Sequence, residues 1–229
     1  MSWFSDFLTS SVGRKFVMAF TGVFLITFLI VHCAINSTVF FNDGGETFNI
    51  AAHFMGTNLL IRTAEIGLFA GLFLHIIQGL LIWRDNSKRR SVKYAVEAGN
   101  ATSKWYSRSM GILGTLILLF LIMHIRHFWV PSRITGLEEV TLSDGDTVHN
   151  LYIEMITVFQ TWWVVVLYVL GVISLGYHLI HGFRSAFHTL GLNYPKYDAL
   201  LRAVGLWFSI IVCTLFALMP ITMYFGLIK

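Results

Sequence analysis

Five apolar stretches, each close to the length that crosses a lipid bilayer, leave this chain few folds to choose from. They run from about Phe16 to Ile35, Thr63 to Trp83, Ser109 to Val130, Thr161 to Phe183 and Ala203 to Leu227. The hydrocarbon core of a bilayer is about 30 Å thick, and a helix rising ~1.5 Å per residue spans it in about 20 residues. No water is available there for backbone N–H and C=O groups, so each span must bond internally as a helix. The expected architecture is therefore all-α: a polytopic membrane bundle of five transmembrane helices, one domain over residues 1–229, with Pro131 ending the third span. Composition agrees. Only 12% of residues are charged, 56% are hydrophobic and the mean hydropathy is +0.70, whereas a soluble domain carries about 25% charge.

The charges that remain report orientation. Arg14 and Lys15 precede span one. Arg84, Lys88, Arg89, Arg90, Lys93, Lys104 and Arg108 lie between spans two and three, and Arg184, Lys196 and Arg202 between four and five. The other two connections carry Asp43 and Glu46, and Glu138, Glu139, Asp144, Asp146 and Glu154. Basic loops stay on the cytoplasmic side. The N-terminus is expected inside and the C-terminus outside. The net charge of +4 thus follows topology and does not point to nucleic acid. Trp3, Trp83, Trp105, Trp129, Trp162 and Trp163 fall near the interfaces this implies, where amphipathic rings collect. Arg14 and Lys15 lead into a run too long for a signal peptide, with no A-x-A site after it, so no cleaved leader is expected. Cys33 and Cys213 sit in apolar runs. The absence of CxxC and CxxCH excludes a disulfide framework, a zinc site of that type and covalent c-type haem attachment.

Histidine is costly inside a membrane, yet the first four spans each carry one at a defined depth. His32 and His124 lie within roughly 5–10 Å of the outer boundary, counting 1.5 Å per residue. His75 and His178 lie within about two turns of the inner one. In a four-helix bundle His32 can face His124, and His75 can face His178. Two axial imidazoles hold a b-type haem without covalent links, so two such pairs would stack two haems across the bilayer. Gly79 and Gly182 each follow an inner histidine by four residues, on the same helical face, and leave room for a flat porphyrin. The bland reading of a membrane histidine is a polar contact between helices. Four of them, one per helix and matched in depth, favour ligation. His127 and His181, three residues from two of the candidates, either bond haem propionates or line the interface. His188 is read as interfacial, and His53 and His149 as outer-loop residues.

These residues resemble a known family: the single-chain, two-haem cytochrome b membrane subunits of succinate:quinone oxidoreductases, that is, succinate dehydrogenase and fumarate reductase. The likeness covers nearly the whole chain, through five spans, histidines in the first four, and the stretches "FNIAAHFM", "LHIIQG" and "YHLIHG". It implies His32 and His124 as ligands of the outer (distal) haem b and His75 and His178 as ligands of the inner (proximal) one. It also implies partners: an FAD-containing flavoprotein subunit and an iron–sulfur subunit on the cytoplasmic side, a membrane quinone (menaquinone in many two-haem types), lipid around the bundle, and dimerisation of the whole complex as an option. This chain has no Rossmann fingerprint and no cysteine cluster, so flavin, iron–sulfur and dicarboxylate sites are expected on other chains. The basic inner loops, Lys88 to Lys93 above all, would face those partners. The resemblance places a quinone-site glutamate near the outer end of span two, where Glu65 stands. Glu65 is ten residues from His75, roughly 15 Å outward of it, with His53 and Arg62 as helpers. Read without the family, Glu65 is an interfacial acid paired with Arg62 three residues away. One departure from the pattern is the absence of a glutamate beside His178, whose neighbours are Gly176, Tyr177 and Leu179. Two other functions remain open: a dihaem quinol-oxidising subunit of another respiratory complex, and a transporter with histidines on its path.

Overall fold

The computed structural model describes residues 6–7, 10–89, 105, 109–192 and 194–228, with the side chains of residues 88 and 89 left aside. Trp3, Arg90, Lys93, Lys104 and Arg108 lie outside the described residues. The described residues are mostly helical, at 84%. Helix α1 is Ser11–Ser37, α2 is Glu46–Thr57, α3 is Leu59–Arg89 and α4 is Met110–His124. A hairpin of β1 (Glu139–Thr141) and β2 (Thr147–His149) follows, then α5 (Leu151–Phe159), α6 (Trp162–Thr189) and α7 (Asp198–Tyr224). Five segments are long and apolar enough to cross a membrane: Ser11–Phe41, Leu59–Ser87, Met110–Thr135, Trp162–Thr189 and Pro195–Tyr224. They fit a multi-pass membrane protein. Large apolar side chains such as Val12, Leu59, Ile66 and Trp207 are exposed on their surfaces, as lipid contact requires.

The helix starts are written in short polar residues. The Asn58 side chain accepts from the backbone N–H groups of Leu60 and Ile61 and so opens α3. Asn150 does the same for α5 through Ile153. The Asp43 carboxylate takes the N–H groups of Gly45 and Thr47 ahead of α2. Each satisfies donors that have no partner within their own helix.

The third span departs from expectation at Pro131. The helix does not stop there. It continues beyond α4 as wide π-helical turns, Ile125–Trp129 and Pro131–Thr135, and ends at Gly136 with φ +86°. Proline lacks an N–H, and in an α-helix its ring meets the carbonyl four residues back. A widened turn removes that clash. The hairpin is a second departure, a small β element in a chain read as all-α. Its register pairs Glu139 with His149, Val140 with Val148 and Thr141 with Thr147. The "LSDGD" stretch turns it, with Gly145 at φ +93°.

The chain divides into two units. The first comprises Met1–Phe28, Gly67–Thr115 and Leu175–Ile210. Its interior includes Thr21 and Ser209, buried polar residues whose hydroxyls bond back to their own helices; an Arg14–Asp85 ion pair at 2.7 Å is partly exposed. The second comprises Leu29–Ile66, Leu116–Ser174 and Ile211–Lys229. It holds an apolar core that includes Val39, Phe48, Tyr152, Phe159, Tyr168 and Met223. Asn49, buried beside Phe48, donates to Asn150 at 3.0 Å and accepts from the Tyr152 N–H at 3.0 Å. The "FNIAAHFM" stretch therefore has a structural task, tying α2 to the start of α5.

Candidate functional site

Each unit brings together two of the histidines singled out in the sequence. In the first, the rings of His75 on α3 and His178 on α6 lie with centroids 6.1 Å apart and planes at 68°. In the second, His32 on α1 and His124 at the end of α4 lie 5.7 Å apart with planes at 85°. All four are half-buried. Among the described residues no three or more histidines, cysteines or acids gather as a metal site. A pair is nevertheless what a haem needs, since the porphyrin supplies the equatorial ligands.

The separations can be tested against that use. Two imidazoles on opposite sides of one iron, each about 2 Å from it through a ring nitrogen, place their ring centres about 6 Å apart. Both observed pairs match that span, and a large angle between ring planes is compatible with shared axial ligation. The Nδ1 atoms of His124 and His178 are buried without a hydrogen-bond partner, a costly condition for a ring nitrogen that only a bond at Nδ1 itself would relieve. Around Gly182 a Cβ would meet nothing within 4 Å, so the space expected beside His178 exists. Gly79 differs: a Cβ there would meet the Met18 Cε at 3.0 Å, the movable end of a flexible side chain. His32 with His124 and His75 with His178 are the residues that would hold a haem at each pair, and the same separations are those of edge-to-face ring contacts.

The surroundings of the two pairs differ in chemistry. His75 Nδ1 lies 3.1 Å from the Thr21 hydroxyl. His124 sits among rings, with Phe120 at 5.6 Å, Phe128 at 5.4 Å and Tyr168 at 6.2 Å. His127 is not paired with His32. Its Nδ1 lies 3.0 Å from the Tyr168 hydroxyl, and the two rings stack at 9°. His188 bonds Asp198 at 3.0 Å, and Arg184 and Arg202 meet the same carboxylate, which fastens the end of α6 to the start of α7. His53 and His149 are exposed.

Glu65 has more partners than sequence reasoning found. Its Oε2 accepts from Arg62 at 2.6 Å, the pairing expected from their spacing. Its Oε1 accepts from the Trp129 indole N–H at 2.6 Å, and Arg133 reaches both oxygens at 3.4 Å. The sequence marks Trp129 only as an interfacial ring and carries no signal for Arg133. Both come from the widened turns of the third span, and no local pattern links them to a residue so far back in the chain. The result is a half-buried carboxylate facing two guanidiniums and an indole.

Outside the spans, the Thr47 hydroxyl holds the Asp43 carboxyl below the usual carboxylate range, helped by backbone N–H groups. Burial, and then the Asp43 charge, push the Tyr152 phenol up. Two shallow clefts, of about 280 and 190 Å³, lie among residues 136–157 and 43–143 of the second unit and border none of the four histidines. Comparison with known protein families, with curated proteins and with solved structures returns no match.

Proposed function

We propose that this chain is the membrane-anchoring dihaem cytochrome b subunit of a succinate:quinone oxidoreductase, passing electrons between cytoplasmic iron–sulfur and flavoprotein partners and a membrane quinone, with menaquinone favoured. The observation that carries the reading is the pair of imidazole pairs, at 5.7 and 6.1 Å. One such contact is an ordinary polar contact between helices. Two, in separate units and both at the span of shared axial ligation, are what bis-histidine haem binding predicts. His32 with His124 would hold one haem and His75 with His178 the other, and each bound haem would supply a one-electron centre. The N-terminus would be cytoplasmic and the C-terminus outside on the basis of loop charge, in a bacterial inner membrane as the family resemblance implies.

In this reading Glu65 is the proton-exchanging group at the quinone. Quinol oxidation releases two protons and quinone reduction takes up two, and a carboxylate near the end of a span can exchange them with water. Arg62, Arg133 and Trp129 hold its oxygens in place. The alternative role of Glu65, a structural ion pair, is also served by these contacts, so function has to separate the two.

The test is spectroscopic. The purified chain, or the complex carrying it, should show reduced-minus-oxidised bands of low-spin b haem. Ala at His75 or His178 should remove one haem and leave the other, and Ala at His32 or His124 should do the reverse. A preparation without haem absorbance would instead favour a transporter. Loss of a haem in His127→Ala with both retained in His124→Ala would overturn the assignment on the third span.

A further inference from the structure

The Thr21 hydroxyl makes two contacts of different kinds, and their combination determines which nitrogen of His75 carries the proton. Thr21 is 4% exposed. Its Oγ1 donates to the Val17 carbonyl at 2.8 Å, with the Met18 carbonyl at 3.2 Å as a second acceptor for the same hydrogen. A hydroxyl has one hydrogen and two lone pairs. With the hydrogen committed to a carbonyl, which can only accept, Oγ1 has only lone pairs left for His75 Nδ1 at 3.1 Å. The imidazole is then the donor, as it also is in its hydrogen bond to the Met18 backbone carbonyl. Neutral imidazole carries one ring hydrogen; here it sits on Nδ1, and Nε2 keeps its lone pair. The next residue, Gly22, backs the same ring: a Cβ there would lie 3.5 Å from the His75 Cε1. One turn of α1 thus supplies both the acceptor and the wall that orient the ring.

We infer that Thr21 is the positioning residue of the His75–His178 redox centre, presenting the His75 Nε2 lone pair and setting the potential of the haem held there. This rests on the haem reading above. An acceptor on the far nitrogen orients a metal-bound imidazole and raises its basicity. A more basic ligand favours ferric over ferrous iron, so the hydroxyl keeps the potential of this centre low. The bland role for such a threonine is a bond back to its own helix, and Thr21 makes that bond as well. The contact to His75, 54 residues away, is what lifts it beyond that role.

The experiment is a redox titration of the assembled complex in membranes, following the two b haems by absorbance and by their low-spin electron paramagnetic resonance signals. Thr21→Val preserves shape and removes the hydroxyl acceptor while the Met18 backbone contact stays; Thr21→Ser preserves the hydroxyl. Val should raise the midpoint potential of the His75–His178 haem alone. A tenfold loss of ferric preference corresponds to about 59 mV for one electron. Ser should titrate as the unaltered protein does, and the His32–His124 haem should not move in either variant. Loss of only the His75–His178 haem in the Val variant, with retention in the Ser variant, also supports the inference. Unchanged potentials in Thr21→Val overturn it, and so does an equal shift in both variants, which would assign the effect to packing. Absence of haem from the unaltered complex would overturn the parent reading instead.

Discussion

Replacing Glu65 with Gln tests the quinone proposal with little change of shape, and the local geometry allows the side effects to be worked out beforehand. Both carboxylate oxygens are acceptors: Oε1 for Trp129 at 2.6 Å and Oε2 for Arg62 at 2.6 Å, with Arg133 at 3.4 Å from each. An amide has one oxygen and one NH₂, so it serves one of these positions and presents a donor to a donor at the other. The favoured orientation keeps oxygen on the Trp129 indole, because the Arg62 side chain is 44% exposed and can turn to water. The cost is about one charge-assisted hydrogen bond, ~1.5–3 kcal/mol before discount, and nearer 1 kcal/mol once the exposure of Arg62 is counted. That leaves the bundle folded. A lost proton-transfer group, by contrast, slows its step about 10²–10⁴-fold, or ~2.7–5.4 kcal/mol of barrier. The assay compares two activities of the whole complex: succinate oxidation with quinone and with an artificial acceptor. Glu65→Gln should lose the first by at least two orders of magnitude, keep the second, and retain both haem signals. Normal quinone turnover with both haems present would refute the role assigned to Glu65.

Two further outcomes concern the cap of α2. Gly45→Ala should be strongly destabilising, because Gly45 has φ +83° and an added Cβ would overlap the Tyr152 ring; strain and overpacking of this kind cost roughly 1–3 kcal/mol each, and a thermal melt of the detergent-solubilised chain would read the loss. The Asp43 carboxyl is held below its usual range, first by Thr47. A depressed folded-state value gives stability that is fully present above the unfolded value, about 3.9, and is lost as pH falls through the folded one. Asp43→Asn should flatten that part of the stability profile below about pH 4, and an unchanged acid limb would count against this carboxylate as its source.

Several elements were legible in sequence because their causes are local. A span is set by bilayer thickness and by the need to bond every backbone group internally, so its length and hydropathy appear in one uninterrupted run. The five apolar helices follow the five runs for that reason. Their ends shifted outward by a few residues where polar side chains, such as Asn58 at α3, continued a helix into the interface. The hairpin also has a local sign, the alternation of Glu139–Thr141 and Thr147–His149 about an Asp-Gly turn, which is weak beside the hydropathy signal of the spans. Pro131 misled because proline ends a helix only if the turn keeps α geometry.

What only the tertiary structure decided is which side chains face one another. A soluble helix announces its buried face by amphipathic period. A membrane span is apolar all round, since lipid is as apolar as the interior, so its rotation is not written in its pattern. The sequence put at least one histidine on each of four spans and raised the expectation that they pair by depth. The folded chain determined that His32 meets His124 and not His127, which bonds Tyr168 instead. It likewise determined that Trp129 and Arg133 close on Glu65, 64 and 68 residues away in the chain, and that Thr21 meets His75. Each of these contacts depends on helix rotation and on widened turns that no single stretch encodes. Depth along a span is a count of residues and can be read from one helix, whereas facing is a relation between helices and exists only once they have packed.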